Sequence, residues 1–584
     1  MHGLNLALSH VGPRSTLESG EQIASGSSTI EGLRHFLKPR PDQRFSADGR
    51  VESYIAGNGD PLRLLLRKLS STLLFEDFWH DKPLPAGIAG PLPFDNPQVP
   101  SAYTYLLQLA AHDLVHSSVS LAGTGADLGV SGIVNSRNVP LTLETIYGGG
   151  PEVCPHAYKI DQAFVSSGGR VSRTRLRLGR LRIDNRLDAS CPMRDVARGE
   201  PLHASDDPHR DPSASVWPSE ALVADPRNDD HAILSQLTVL FHLLHNHLVD
   251  RMEALGLPSD GPSEQQAFRR FLAARTAVTL IYRHILRNDV LPRILHPDVT
   301  SWYGSNSPLE VAHGIPLEFT HGAFRFAHAM VRDRYSVTRD APLDTERALQ
   351  QSSHRGFGFL PVSTEWRVDW RRFVPVPGHP MPMNLSRRIG PSYPGVLSSS
   401  RLFPVLAPEA GAASLPYGLI GRDLMSASLA GLWSVPALTA ELQGRLGAGL
   451  VPDFAAWQAA LGDWLTAQSV FDAAEVATLA ADPPLPFYCL FEASKTLRAG
   501  LPHDTLGGLK LGVIGSIIVA DTFHGALQRN PVAFDAAATG ALLKPRLLAM
   551  SAAILGAPAP FATLPEIGDF GTLVAYLIDS ATLP

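Results

Sequence analysis

The stretch Tyr103–His116, YTYLLQLAAHDLVH, decides how the rest of the chain can be interpreted. Its apolar residues predict a buried helix, yet Gln108 and His112 stand four residues apart and therefore share one face of that helix. Asp113 follows at once and points elsewhere. A glutamine and a histidine aimed together out of an apolar helix suggest proton handling over a cofactor, whereas a lone histidine in such a helix is commonly a satisfied core residue.

Composition narrows the class of protein. The chain has 584 residues, a formal net charge of −6 and a hydrophobic fraction of 44%. This suits a large core and gives no electrostatic case for binding nucleic acid or an anionic membrane. The three cysteines are too few and too scattered for a disulfide framework or a CxxC metal site. We see neither a signal peptide nor a run of about 18 apolar residues, so we expect a soluble, cytoplasmic protein.

The patterning predicts one large helical unit behind a short extension. Residues 1–50 are rich in Ser, Gly and Pro, and we expect an N-terminal extension that is loosely ordered over the surface. Residues 51–584 are predicted to be mainly α-helical with few short strands, which is compatible with one large domain. Helices are predicted at 61–78, 103–116, 225–255, 264–296, 317–332, 415–429 and 506–528, with an irregular or short-stranded region at 150–225.

A second pair of polar residues stands where a long helix begins. Pro226 and the acidic cluster behind it are typical of a helix start, and Gly256 can end that helix. Arg227 and Asp230 are three residues apart at this entrance, so both can face one pocket. Arg227 could form a simple salt bridge there, which would stabilise the fold little. It could instead place a permanent cation beside a developing negative charge.

Another candidate histidine, His328, stands on the apolar segment LEFTHGAFRFAHAMVR at 317–332. His328 on such a rigid support offers the neutral imidazole nitrogen that a haem iron requires as an axial ligand. Arg325, one turn earlier, could pair with a haem propionate. Taken alone, His328 is also compatible with a purely structural role.

Oxygen-bearing side chains gather in the segment NSRNVPLTLETIYG, residues 135–148. Asn138, Thr142 and Glu144 could coordinate a hard cation such as calcium, together with Asp113. No EF-hand pattern is present, so a solvated loop is the alternative interpretation.

Five stretches, taken together, resemble the animal-type haem peroxidases of the peroxidase–cyclooxygenase superfamily, in their bacterial, myeloperoxidase-like branch. They occur in the family's order and span roughly residues 60–530. The stretches are NPQVPSAYTYLLQLAAHDL, NSRNVPLTLETIYGGGP, ADPRNDDHAILSQLTVLFHLLHN, FRFAH and LGVIGSIIVAD. The resemblance implies a single, mostly α-helical domain that holds haem b between its central helices.

The resemblance also implies a role for each matched residue. His112 matches the distal histidine that relays a proton, and Gln108 matches the glutamine that helps hold the distal water. Arg227 matches the distal arginine that stabilises the departing oxygen. His328 matches the proximal iron ligand, with Arg325 close to a propionate.

Several positions depart from the family's pattern. Ala111 replaces an acidic residue that forms a haem ester, so at most one ester is expected, through Asp230. Asp423 replaces the asparagine that accepts the proximal histidine's N–H, which would make His328 more imidazolate-like and favour O–O cleavage. Ser426 stands where an arginine is usual. The radical-forming tyrosine of the fatty-acid oxygenating members is replaced by Arg325, which argues against cyclooxygenase chemistry.

The leading hypothesis is therefore a haem peroxidase that reduces hydrogen peroxide and oxidises a small organic donor or a halide, an activity that fits a response to oxidative stress. The enzymatic alternative is a haem oxygenase acting on a lipid or secondary metabolite, with Tyr105 or Tyr417 as the radical site. The non-enzymatic alternative is a relative that keeps the fold and the haem but has lost turnover. Neither nucleic acid nor a membrane is expected as a partner.

Overall fold

The computed structural model describes most of the chain between Pro61 and Pro584. The described residues are 36–37, 61–74, 76–80, 84, 92–116, 135, 137, 139–164, 170–184, 186–201, 218–309, 314–351, 359–399, 402–403, 418–495, 507–530, 532–535 and 542–584. Within these ranges the protein is mainly α-helical with short strands, so the predicted fold class is confirmed.

The helices account for the apolar, periodic parts of the sequence. Their bounds are α1 Pro61–Thr72, α2 Ala102–Leu114, α3 Glu144–Tyr147, α4 Ala232–Ala254, α5 Ser263–Ile285, α6 Leu291–Ile294, α7 Pro297–Ser305, α8 Thr345–Gln351, α9 Gly418–Leu429, α10 Val435–Leu446, α11 Ala455–Ala467, α12 Ala473–Ala481, α13 Leu485–Ser494, α14 Val513–Arg529, α15 Leu543–Leu555, α16 Ala559–Ala562 and α17 Phe570–Asp579. Short 3₁₀ segments lie at Glu76–Trp79, Pro155–Ala157, Pro226–Asp229, Ala323–Met330, Thr364–Trp366, Trp370–Arg372 and Gly395–Ser398, and π turns at Leu286–Val290 and Glu318–Gly322.

The strands form antiparallel two-stranded ribbons rather than a continuous sheet. Their bounds are β1 Asp95–Pro100, β2 Tyr158–Lys159, β3 Gln162–Phe164, β4 Arg170–Ser172, β5 Arg175–Leu176, β6 Leu178–Arg180, β7 Arg182–Ile183, β8 Arg186–Leu187, β9 Arg194–Val196, β10 Arg198–Pro201, β11 Ser219–Ala221, β12 Arg334–Tyr335, β13 Leu343–Asp344 and β14 Leu385–Arg387. The strands pair as β1 with β14, β2 with β5, β3 with β4, β6 with β9, β7 with β8, β10 with β11 and β12 with β13. Most of them lie in the region predicted to be irregular or short-stranded.

Helix α4 is the centre of the core and packs against α2 and α5. His231 caps the N-terminus of this helix, because its Nδ1 accepts from the backbone N–H of Leu234. After the C-terminus of the helix the chain turns at Gly256, which has a φ of +63°. The helix is long and apolar enough to cross a membrane, but 83% of its most apolar window is buried inside the protein. We therefore identify α4 as a core helix of this fold.

The segment predicted as one helix at 317–332 is irregular. It begins as a π turn over Glu318–Gly322 and continues as a 3₁₀ helix that ends at Met330. Gly322 stands at the junction, where a Cβ would lie only 2.6 Å from the side chain of Leu485 in α13. A larger residue here would have to displace the side chain of Leu485, and His328 lies in the 3₁₀ part that follows.

The predicted N-terminal extension contributes two described residues, Phe36 and Leu37, and both are buried in the core. The backbone N–H of Phe36 donates to Glu318 Oε2 at 2.6 Å, and the indole of Trp433 donates to the carbonyl of Leu37 at 2.8 Å. At these two residues the chain therefore enters the core instead of lying over the surface. The remainder of the segment 1–50 lies outside the described residues.

Candidate functional site

A cavity of about 390 Å³ lies between α2, the entrance of α4 and the segment 318–330. The sequence-predicted residues that line it are Gln108, His112, Arg227, Asp230, Arg325 and His328. Ala111, Ser426 and Tyr105 line it as well, and apolar side chains such as Phe319 and Phe324 cover much of the remaining wall. Residues far apart in sequence are thus brought to one enclosed space of the kind that binds cofactors and small molecules.

His328 is held by a buried carboxylate. Its Nδ1 lies 2.6 Å from Oδ2 of Asp423, which stands on α9 and is only 2% exposed. An ionised carboxylate can only accept, so Nδ1 carries the proton and Nε2 has its lone pair available towards the cavity. The predicted contact between Asp423 and His328 is therefore present in the structure.

Arg325 contacts the same carboxylate that holds His328. Its Nη1 lies 3.3 Å from Oδ1 of Asp423, while the hydroxyl of Tyr393 lies 3.4 Å from the other oxygen of the same carboxylate. A buried carboxylate requires such compensation, because an unpaired charge in the interior is costly. Arg325 Nε is buried without a hydrogen-bond partner at the edge of the cavity. In the structure Arg325 thus forms an ion pair with Asp423, and its contact with a propionate stays a prediction.

His112 is presented as a neutral base. Its Nδ1 lies 3.2 Å from Oδ1 of Asn228, whose Nδ2 donates to the carbonyl of Thr145 and so fixes which end of the amide accepts. The proton of His112 is therefore on Nδ1, and Nε2 is left as an acceptor. Burial, followed by the nearby charge of Arg227, lowers the pKa of His112 to about 4. The imidazole is uncharged at neutral pH.

Arg227 lines the cavity and is held in place by hydrogen bonds to the residues around it. Its Nε and Nη2 donate to Asp225, and its Nη1 and Nη2 donate to the carbonyls of Val115 and His112 at 2.8 and 2.9 Å. These carbonyls close α2, so the guanidinium also neutralises the negative end of that helix. Arg227 thus forms a salt bridge, with Asp225 as its partner, while its side chain stays 31% exposed at the cavity wall. Its role beside a developing negative charge stays a prediction.

Asp225 joins Arg227 to a second arginine that the sequence did not single out. Arg137 donates from Nη2 to Asp225 and from Nε to the carbonyl of His112. Burial would raise the pKa of Asp225, but the hydrogen bonds and charges of Arg227 and Arg137 outweigh it and hold that pKa below its ordinary value. We call this group, Asp225 with Arg137 and Arg227, the arginine clamp of α2.

Gln108 has a partner that sequence reasoning missed. Its Oε1 lies 2.9 Å from Nε2 of His231, and His231 Nδ1 already accepts from the backbone N–H of Leu234. His231 must therefore carry its proton on Nε2 and donate it to Gln108. The amide nitrogen of Gln108 is then the end that faces the cavity. The only sequence signal for this contact is the position of His231 directly after the acidic cluster.

The residues predicted to bind calcium lie near one loop but make other contacts. The carboxylate of Asp113 accepts from the backbone N–H groups of Leu143 and Thr145, at 2.8 and 3.1 Å, and the hydroxyl of Thr142 donates to the carbonyl of Val139. Glu144 accepts from the N–H of Val139 at 3.3 Å, and Asn138 lies outside the described residues. Across the described ranges no three His, Cys, Asp or Glu side chains group as a metal site, and calcium binding stays a prediction.

The cavity residues fit a haem. His328 offers an imidazole Nε2 with its Nδ1 proton held by Asp423, which is the arrangement a haem iron takes from an axial histidine. His321, seven residues earlier, also lines the cavity, with Nδ1 at 2.6 Å from the Ser426 hydroxyl and Nε2 buried without a partner. Ser426, which replaces an expected arginine, thus has a defined contact. The apolar wall is suited to a flat hydrophobic ring system.

Tyr105, one of the two alternative radical sites, lines the same cavity and is 3% exposed. Tyr417, the other, lies outside the described residues. Asp230 lines the cavity at the entrance of α4, and its ester link to haem stays a prediction.

Comparisons with known proteins agree with the sequence resemblance. The family model of the animal haem peroxidases matches residues 170–357, which include Arg227, Asp230, Arg325 and His328. No curated protein matches the chain in sequence. Among solved structures, peroxidase A from Dictyostelium discoideum is 14% identical with a TM-score of 0.47, covering 86% of this chain and 87% of its own.

Two plant enzymes are also among the similar structures. A fatty acid alpha-dioxygenase from Arabidopsis thaliana is 12% identical with a TM-score of 0.46, covering 86% of this chain and 72% of its own. The one from Oryza sativa is 12% identical with a TM-score of 0.42, covering 83% and 79%. None of these comparisons distinguishes a bacterial branch, so that assignment stays a prediction. The resemblance is confirmed for residues 170–357, which match the family model of the animal haem peroxidases.

Proposed function

We propose that the protein is a haem peroxidase, which reduces hydrogen peroxide and takes the electrons from a small organic donor or a halide. One observation carries the proposal: His112 and His328 line the same cavity, each with Nδ1 tied to a fixed acceptor and Nε2 available. Two such histidines provide a base on one side and an iron ligand on the other.

Several side chains of the cavity would each have a separate role in O–O cleavage. His328 Nε2 would hold haem, which would supply the two electrons that reduce the peroxide. His112 Nε2 takes the proton from one peroxide oxygen and returns it to the other, so that water can leave. The amide nitrogen of Gln108 faces the cavity and can donate to peroxide or to water held there. Arg227 keeps a permanent positive charge beside the departing oxygen.

Asp423 contributes from the other side of the cavity. By accepting the Nδ1 proton of His328 it increases the electron density on Nε2, which favours cleavage of the O–O bond over simple ligand binding. The visible spectrum of the haem-supplemented protein, before and after one equivalent of peroxide, tests the proposal. We expect the Soret band to change with peroxide and to recover faster when a phenolic donor is added, whereas a band indifferent to peroxide would contradict it.

A second candidate function rests on Tyr105. A tyrosine that lines the cavity could form the radical that removes a hydrogen atom from a lipid or secondary metabolite, the first step of oxygenation. Oxygen uptake with a fatty acid, after a trace of peroxide, would favour this alternative. Loss of that uptake in Tyr105→Phe, with the peroxide-dependent Soret change retained, would assign the radical to Tyr105.

Haem retention after acid extraction should depend on Asp230 alone. Because Ala111 has no carboxylate, Asp230 is the remaining cavity residue placed for an ester, so any haem that resists extraction into acidified organic solvent should become extractable in Asp230→Ala. Mass spectrometry of the protein would show the adduct directly. Haem that stays attached in Asp230→Ala would exclude this ester, and complete extraction from the wild type would show that none forms.

The reaction with peroxide should be insensitive to pH down to an unusually acidic limit. His112 acts as a base only when neutral, and its pKa is lowered to about 4. The rate of the Soret change should therefore hold its plateau as the pH falls, and decline only as the pH passes through about 4, where the imidazole gains a proton. Stopped-flow spectroscopy across this range measures it. A decline centred near the ordinary pKa of histidine, about 6.5, would show that a different group acts as the base.

A further inference from the structure

A chain of buried aromatic rings leads from the cavity to a second pocket. Tyr105 lines the cavity, and its ring centroid lies 5.8 Å from that of Tyr335. Tyr335 is stacked on Phe373 at 5.6 Å, and Phe373 lies 6.0 Å from Trp370. Trp370, at the far end, lines a groove of about 400 Å³ that shares no residue with the cavity. Such centroid distances are those of rings in direct contact.

The rings are well placed to carry an electron. All four are at most 4% exposed, so an oxidised ring would be shielded from water. The hydroxyls of Tyr105 and Tyr335 are hydrogen-bonded to each other, and the Tyr335 oxygen also accepts from the backbone N–H of Arg332 at 2.9 Å. These hydrogen bonds fix the two phenol rings relative to each other, so the contact between them is constant.

The groove beside Trp370 could bind an electron donor. Its wall is partly apolar, with Met193, Val574 and Ile578 near Trp370. It also contains Arg367 and Arg371, of which Arg371 is neutralised by two hydrogen bonds of 2.8 Å to Asp369. Arginine side chains beside an aromatic wall can donate hydrogen bonds to the oxygen of a phenol and pack against its ring.

We propose that this groove is a second oxidation site, at which electron-rich phenols too bulky for the cavity give electrons to Trp370. The proposal rests on the peroxidase function proposed above, which supplies the oxidant, hydrogen peroxide. Each phenol loses one electron to the ring chain and its hydroxyl proton to water, and becomes a phenoxyl radical. The electron passes through Trp370, Phe373 as a bridge, Tyr335 and Tyr105 to the cavity. Two phenols thus reduce one peroxide to two waters, and the rings end unchanged.

A tethered donor tests this site. The probe is a guaiacyl group linked to a dextran that is too large to enter the cavity, and the readout is recovery of the Soret band after peroxide. In wild type we expect the dextran-linked donor to speed recovery. In Trp370→Phe we expect that acceleration to fall by about tenfold or more, while the initial change of the Soret band with peroxide keeps its rate. The matched control is Trp366→Phe, a nearby buried tryptophan that lines neither the cavity nor the groove.

A second readout does not depend on turnover of a donor. Peroxide added without any donor should leave oxidation products on the Trp370 indole, detected by peptide mass spectrometry, and Tyr335→Phe should reduce them while Trp457 stays unmodified in both proteins. Undiminished acceleration by the tethered donor in Trp370→Phe, or no acceleration in wild type, would overturn the second site and leave the peroxidase proposal intact. A wild-type Soret band that ignores peroxide would overturn both.

Discussion

His328→Ala is expected to abolish stable haem binding. The substitution removes the imidazole whose Nε2 is available to iron, and it leaves Asp423 with Arg325 and Tyr393 as its remaining partners. Titration with haem, followed by the Soret band and by gel filtration to separate free haem, measures the loss. Imidazole added to the variant should restore part of the spectrum, because a free imidazole can fill the space that the side chain leaves.

His321→Ala is the matched control for this experiment. His321 lines the same cavity on the same segment, and burial, followed by the charge of Arg325, lowers its pKa to about 3, so it is also a neutral imidazole. Its Nδ1 contacts the Ser426 hydroxyl rather than a carboxylate, which makes it the weaker ligand. Haem retained in His328→Ala but lost in His321→Ala would reverse the assignment of the two histidines.

His112→Ala is expected to keep the haem but to slow its reaction with peroxide by about 10²- to 10⁴-fold, the usual contribution of a general base. The cavity would otherwise persist, because Arg227 and Arg137 bind the backbone carbonyl of residue 112 and not its imidazole. Stopped-flow spectroscopy of the Soret band at several peroxide concentrations gives the rate constant. Asn228→Ala should cause a smaller decrease, since it leaves the imidazole in place and removes the acceptor that fixes its tautomer, together with two hydrogen bonds to Thr145. A rate in His112→Ala close to that of wild type would mean that the proton relay is elsewhere.

Much of the cavity could be predicted from the sequence, because the spacing of residues along a helix determines which side chains point in the same direction. Gln108 and His112 share a face of α2 because they are four residues apart, and that relation holds in any regular helix. Arg227 and Asp230 likewise follow from the position of a helix start, which Pro226 marks clearly. The order of the matched stretches then indicated that these local pairs meet around one cofactor.

What the sequence did not indicate depends on contacts between distant segments. Nothing near Gln108 specifies His231, whose distance to it is set by how α2 packs on the entrance of α4. The contact of Arg325 with Asp423 was likewise not indicated, because it depends on how α9 packs against the segment 318–330. That segment is itself irregular, and its Gly322 lies against the side chain of Leu485 from another helix. Apolar periodicity cannot distinguish a π turn followed by a 3₁₀ helix from an ordinary helix.

The anchoring of Phe36 and Leu37 bears on how far the chain can be shortened. A protein that begins at residue 51 would lose two fully buried apolar side chains, which together contribute about 3–6 kcal/mol to stability. It would also lose the donor that holds one oxygen of Glu318, the first residue of the turn that leads to His328. Phe36 and Leu37 thus help to hold the turn that leads to His328, and a protein that begins at residue 51 is expected to be less stable at this turn.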